Sequence, residues 1–179
     1  MELTNKFLIL GPGRTGSQLI ANALQEEFQT PAYFWYTDGV DNKIIHSHDQ
    51  PNIKDKSNWI LIISRRYDQF KGAISQLVAD TTEEWSTYSN KQINPVYIST
   101  THFKSILETR QEYYNKIDVT GYASVVDIYF EDVLQYPYYL FEKLGIPNVK
   151  TQIKTEKSPY GREIISNYSE LEKYWLENY

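Results

Sequence analysis

FLILGPGRTGSQL, residues 7–19, decides the fold. An apolar run enters a glycine-rich turn and passes at once into helical spacing, which reads as a buried strand, a tight loop and a helix. Gly11, Gly13 and Gly16 spell the dinucleotide pattern G-x-G-x-x-G, and Gly11 and Gly16 also frame a Walker A loop. Ser17 and Gln18 stand where a nucleoside-triphosphate site places Lys and Ser/Thr. The loop therefore has phosphate-binding spacing without either standard chemistry. It also contains Arg14, a cation that a dinucleotide loop does not require.

Working outward, the periodicity predicts strands over residues 6–10, 33–37, 43–48, 59–64 and 124–130, the second being the weakest. Helices are expected over 17–28, about 68–79, about 101–117 and 136–144, the last closed by Gly145 and Pro147, with a short terminal helix from near Asn167. Residues 80–100 are polar and carry neither period, which predicts a long loop or lid, and 149–166 read as irregular. Strands alternating with helices imply one α/β domain over residues 1–179, a three-layer sandwich around a mainly parallel sheet with a P-loop-like phosphate loop.

Composition narrows the function. A formal net charge of -5 argues against a general nucleic-acid or membrane-surface binder, because each needs a basic field. With no cysteine, disulfides, thiolate metal sites and cysteine nucleophiles are excluded. A strand beginning almost at Met1 and the lack of any long apolar run predict a soluble, cytoplasmic protein without a signal peptide.

In open parallel sheets ligands sit at the carboxyl ends of the strands. Four expected strands end in reactive groups there: GPGRTGS, HSHD, SRR and FED. Glycines let the loop backbone approach a phosphate, while the N–H groups and positive dipole end of the helix beginning at Ser17 face the anion. His46 and His48 are two residues apart, so on a strand they share a face, and histidine suits proton transfer near neutral pH. A third metal ligand at obvious spacing is missing, and no metal is expected. Arg65 and Arg66 end a buried strand ahead of a helix that carries Ser75, an arrangement able to grip an anion. A Rossmann-type NAD(P) oxidoreductase, with Asp38 as a ribose contact, and a catalytically silent nucleotide binder are alternative readings.

Four motifs in order resemble the sulfotransferases that use 3′-phosphoadenosine-5′-phosphosulfate (PAPS). FLILGPGRTGSQL is similar to their 5′-phosphosulfate loop, with Arg14-Thr15-Gly16-Ser17 as its core. LIISRRYDQFKGAIS is similar to their 3′-phosphate motif, IYFEDVLQYPYYLFEKLGIP to their Tyr/Phe-Glu-Asp-Leu segment, and KSPYGREIISNYSEL to their closing loop and helix.

The resemblance implies transfer of a sulfuryl group from PAPS to a hydroxyl or amine of a small-molecule or carbohydrate acceptor, without a metal, releasing adenosine 3′,5′-bisphosphate. Gly11, Pro12, Gly13, Arg14, Thr15, Gly16, Ser17 and Gln18 would hold the 5′-phosphosulfate, with Arg14 stabilising the leaving phosphate. Arg65 or Arg66 would clamp the 3′-phosphate with Ser75. Arg65 ranks first because it lies nearest the strand end, although one or two extra residues separate the arginines from Ser75 relative to the family. Lys157 and Arg162 would cover the same phosphate. His48 inherits the base position, and His46 replaces a lysine that steadies the sulfuryl group. Asp49 and Glu131 are the reserve bases.

Overall fold

The structure is a computed structural model, described here for residues 5–36, 43–83, 94–136, 138–151, 153 and 164–179. Its first strand, β1 (Lys6–Leu10), is fully apolar after the lysine, and Phe7 to Leu10 are all buried. The same holds for β4 (Trp59–Arg65), buried from Trp59 to Ser64. Such unbroken runs characterise strands in the interior of a parallel sheet. With β2 (Ala32–Tyr33), β3 (Ile44–Ser47) and β5 (Ser124–Tyr129) they form a five-stranded, all-parallel sheet in the order β2-β3-β1-β4-β5. The chain is thus α/β, with helices flanking the sheet.

Two compact units divide the chain: Met1–Tyr67 with Lys116–Thr155, and Asp68–Asn115 with Glu156–Tyr179. The first holds the sheet. Its core sets Phe7, Ile9, Ile44, Ile60, Ile62 and Ile128 against Ile20 and Leu24 of helix α1 (Ser17–Phe28). These strand residues are spaced by two, so they line one face of the sheet, and α1 covers that face with the apolar stripe of a 3.6-residue period.

In the second unit, α2 (Gln69–Thr82) starts at Asp68, whose carboxylate accepts the Lys71 N–H at 2.8 Å. It packs Phe70, Ile74 and Leu77 with Phe103 and Leu107 of α3 (Thr100–Asn115) and Leu171 of α6 (Tyr168–Asn178). Ser75 is buried on α2. Within the expected loop of residues 80–100, α2 continues to Thr82, Val96 bridges Ile165, and residues 84–93 lie outside the described set.

The helix expected over 136–144 starts later, at Tyr139, and a short helix that the periodicity did not predict precedes it. α4 (Phe130–Gln135) follows β5 without a gap, and α5 (Tyr139–Lys143) follows after a break. The break falls before Pro137, where the ring of a proline pushes the preceding residue out of the helical region. Tyr136 accordingly sits at φ -135, ψ 101. The expected stop at Gly145 is present: its φ is 66, its N–H donates to Glu142 O, and the Ile146 N–H donates to Phe141 O. That pair of bonds is a Schellman closure.

Candidate functional site

The loop between β1 and α1 is braced from inside. The Thr15 hydroxyl donates to Pro12 O at 3.0 Å, and the buried Ser64 hydroxyl, at the end of β4, donates to Thr15 O at 2.8 Å. A β-carbon on Gly11 would lie 2.5 Å from Thr15 Oγ1 and 3.0 Å from Ser64 O, so only glycine permits this closeness. Gly16 caps α1 at φ 86 and has no side chain to offer the N–H groups of the first turn, which lack partners within the helix. Unbonded N–H groups at a helix start are the feature that anions seek. Gln18 spends its amide on Asn22, one turn along the helix.

Arg14 lies in the left-handed region at φ 65, which costs a non-glycine residue about 1–2 kcal/mol. Arg66 holds it there by donating from Nη1 to Arg14 O at 3.2 Å. The Arg66 guanidinium also stands 4.7 Å over the Phe130 ring and 3.5 Å from Glu131 Oε1, whose second oxygen accepts the Tyr67 N–H at 3.0 Å. Arg65 instead pairs with Asp127 on β5. The arginine at the loop is therefore Arg66, one residue past the position ranked first on strand geometry. The reason is alternation: successive residues at a strand end point to opposite sides.

His46 and His48 do share a side, with ring centroids 5.3 Å apart. His46 pairs in register with Ile9, on the face that α1 covers, and so its Nε2 meets the Ser17 hydroxyl at 2.8 Å. His48 lies past the strand end, less deeply buried, with Nδ1 2.7 Å from Gly11 O. A carbonyl oxygen only accepts, so Nδ1 carries the proton and the lone pair of the neutral ring is on Nε2. Asp49 is exposed, and Ser47 bonds to its backbone.

Burial, and then the neighbouring His48, push the His46 pKa down to about 4. A neutral imidazole cannot steady a sulfuryl group by charge as a lysine would. The hydrogen bond to the Ser17 hydroxyl fixes the orientation of the His46 ring. Its folded pKa lies below the unfolded value, so between the two the unfolded chain binds more protons and stability rises with pH. The stability tied to His46 should be whole above about pH 6.5 and lost as pH falls toward 4, a change on the order of 3 kcal/mol. Urea midpoints at pH 7 and pH 4.5 should differ more in the native protein than in His46→Gln. Equal differences would exclude His46 as the source.

No protein-family model, curated protein or solved structure matches this chain.

The structure thus assembles the 11–17 loop, His46, His48 and Arg66 within the first unit, while Ser75 belongs to the second. Lys157, Arg162 and Asp38 lie outside the described residues. Among those described, no three His, Asp or Glu side chains cluster as a metal would need, and no helix is long and apolar enough to cross a membrane. Sequence reading assigned no role to Ser64 and Phe130, which brace the loop from the neighbouring strand β4 and from the start of α4 beyond β5. The only prior signal for Ser64 was a polar residue closing an apolar strand.

Proposed function

We propose that the chain is a PAPS-dependent sulfotransferase whose P-loop-like 11–17 loop cradles the 5′-phosphosulfate. One observation carries the reading. Two carbonyls of the same loop anchor a candidate base and a cation: His48 on Gly11 O and Arg66 on Arg14 O, beside the open N-terminus of α1. The nucleotide needs positive dipoles at its leaving phosphate, a guanidinium for its 3′-phosphate and a proton acceptor for the attacking group.

In the proposed step, the acceptor oxygen attacks sulfur in line and gives its proton to His48 Nε2. The bond from sulfur to the bridging phosphate oxygen breaks, its electron pair stays on that oxygen, and adenosine 3′,5′-bisphosphate leaves. Arg14 and the loop N–H groups stabilise the growing charge. His46 turns the Ser17 hydroxyl toward the anion, and Glu131, already engaged by Arg66 and the Tyr67 N–H, serves as a brace.

The strand order weighs against the Rossmann alternative. In that fold the strand after the first helix lies beside β1, in the order 3-2-1-4-5. Here β3 separates β2 from β1.

Thermal shift tests the reading. Adenosine 3′,5′-bisphosphate should raise the melting point more than ADP or NAD, with about 2.7 kcal/mol of stabilisation at a hundredfold excess over Kd. Arg66→Ala should erode that preference more than Arg65→Ala. Equal responses to ADP and the bisphosphate would defeat the 3′-phosphate clamp, and a larger response to NAD would restore the oxidoreductase. Binding without sulfuryl transfer from labelled PAPS to any acceptor would leave a silent nucleotide binder.

A further inference from the structure

Beyond β2 the chain runs Phe34-Trp35-Tyr36; Tyr36 packs edge-on against the buried Trp59 at 6.3 Å, whereas the aromatic side chains before it stay in water. Tyr33 is 40 %, Phe34 41 % and Trp35 58 % exposed. Three large aromatic side chains at one strand end, left open to water, are unusual enough to point to a ligand. Their location supports this. The Phe34 ring lies 4.9 Å from the His46 ring and 5.5 Å from the His48 ring, edge-on to both, and Trp35 stands one ring further out, 4.7 Å from Phe34.

The shape of this corner selects the ligand. Phe34 and Trp35 meet at 84°, and among the described residues no other ring contacts Trp35. A flat aryl acceptor is held best in an enclosed apolar slot that covers most of its surface. An open right-angled corner covers one face and one edge. That suits a pyranose, whose axial C–H groups form an apolar face while its hydroxyl rim stays hydrated. Those C–H groups carry slight positive charge and are attracted to the negative face of an indole.

We infer that the Phe34–Trp35 corner is the acceptor subsite and that it takes the pyranose ring of a carbohydrate. The inference rests on the proposed transferase for the word acceptor only. A sugar resting on Trp35 would carry its hydroxyl rim over Phe34 toward His48, where one hydroxyl becomes the nucleophile.

Saturation-transfer NMR on the full chain provides the test, with methyl gluco-, galacto- and mannopyranoside as probes and 4-nitrophenol as the aryl control. At least one pyranoside should show saturation of its axial ring protons. Trp35→Ala should weaken that binding by roughly tenfold, the effect of an aromatic contact near the top of its usual range, and Trp35→Tyr should restore most of it. Trp35 is mostly exposed, so neither change threatens folding. The inference is overturned if no pyranoside is saturated, if Trp35→Ala leaves the signal unchanged, or if 4-nitrophenol is the probe whose binding depends on Trp35. Bisphosphate binding, read separately by thermal shift, keeps the two ideas apart. Sugar contact at Trp35 without bisphosphate binding removes the transferase and leaves the sugar site, and the reverse result removes the sugar site alone.

Discussion

Replacing His48 with alanine is expected to lower sulfuryl transfer by about two to four orders of magnitude while leaving bisphosphate affinity nearly intact. The ring is fixed by its bond to Gly11 O, which assigns the lone pair to Nε2. Alanine removes the proton acceptor and its bond to Gly11 O, and leaves in place the loop bracing that runs through Thr15, Ser64 and Arg66. Millimolar imidazole should restore part of the lost rate, a rescue that a purely structural histidine would not show. Near-native turnover in the variant would refute the role, and a larger loss in His46→Ala or Glu131→Ala would move the base there.

The largest structural effect is expected from Gly16→Ala. Gly16 sits at φ 86, and a β-carbon would lie 2.5 Å from Cδ2 of Phe130. The backbone conformation costs about 1–2 kcal/mol for a non-glycine residue, and relieving the overlap costs roughly another 1–3 kcal/mol. Phe130 has little freedom to retreat, because the Arg66 guanidinium covers its ring. The displacement therefore passes to Arg66 and to its hold on Arg14. Gly145→Ala is the matched control: its φ is 66, but nothing lies within 4 Å of the added carbon. Urea denaturation should place Gly16→Ala roughly 1–2 M below the native midpoint for a domain of this size, with Gly145→Ala losing less. Equal losses in the two variants would show that Phe130 contributes nothing and that φ alone sets the penalty.

Much of this arrangement was legible in the sequence because local physics writes it there. The strand at residues 6–10 and the helix at 17–28 coincide with β1 and α1, since an unbroken apolar run and a 3.6-residue stripe each need only their own neighbours. The Gly145 stop and the shared side of His46 and His48 follow for the same reason, one from a left-handed residue and one from a two-residue period. Other features depend on residues far apart in the chain, and periodicity carries no record of them. Arg66 reaches Arg14 across 52 positions, and Ser64 reaches Thr15 across 49. Alternation sends Arg65 and Arg66 to opposite sides, and the packing of β4 between β1 and β5 decided which of those sides holds the loop. The charge of His46 was likewise set by burial: its sequence position made it a candidate cation or base, and desolvation made it neutral. Composition and spacing determined the α/β class, the glycine-rich turn between β1 and α1 and the residue types beside it. The tertiary structure alone decided which side chains meet, because that choice is made by strand order and desolvation, and both are properties of the assembled sheet.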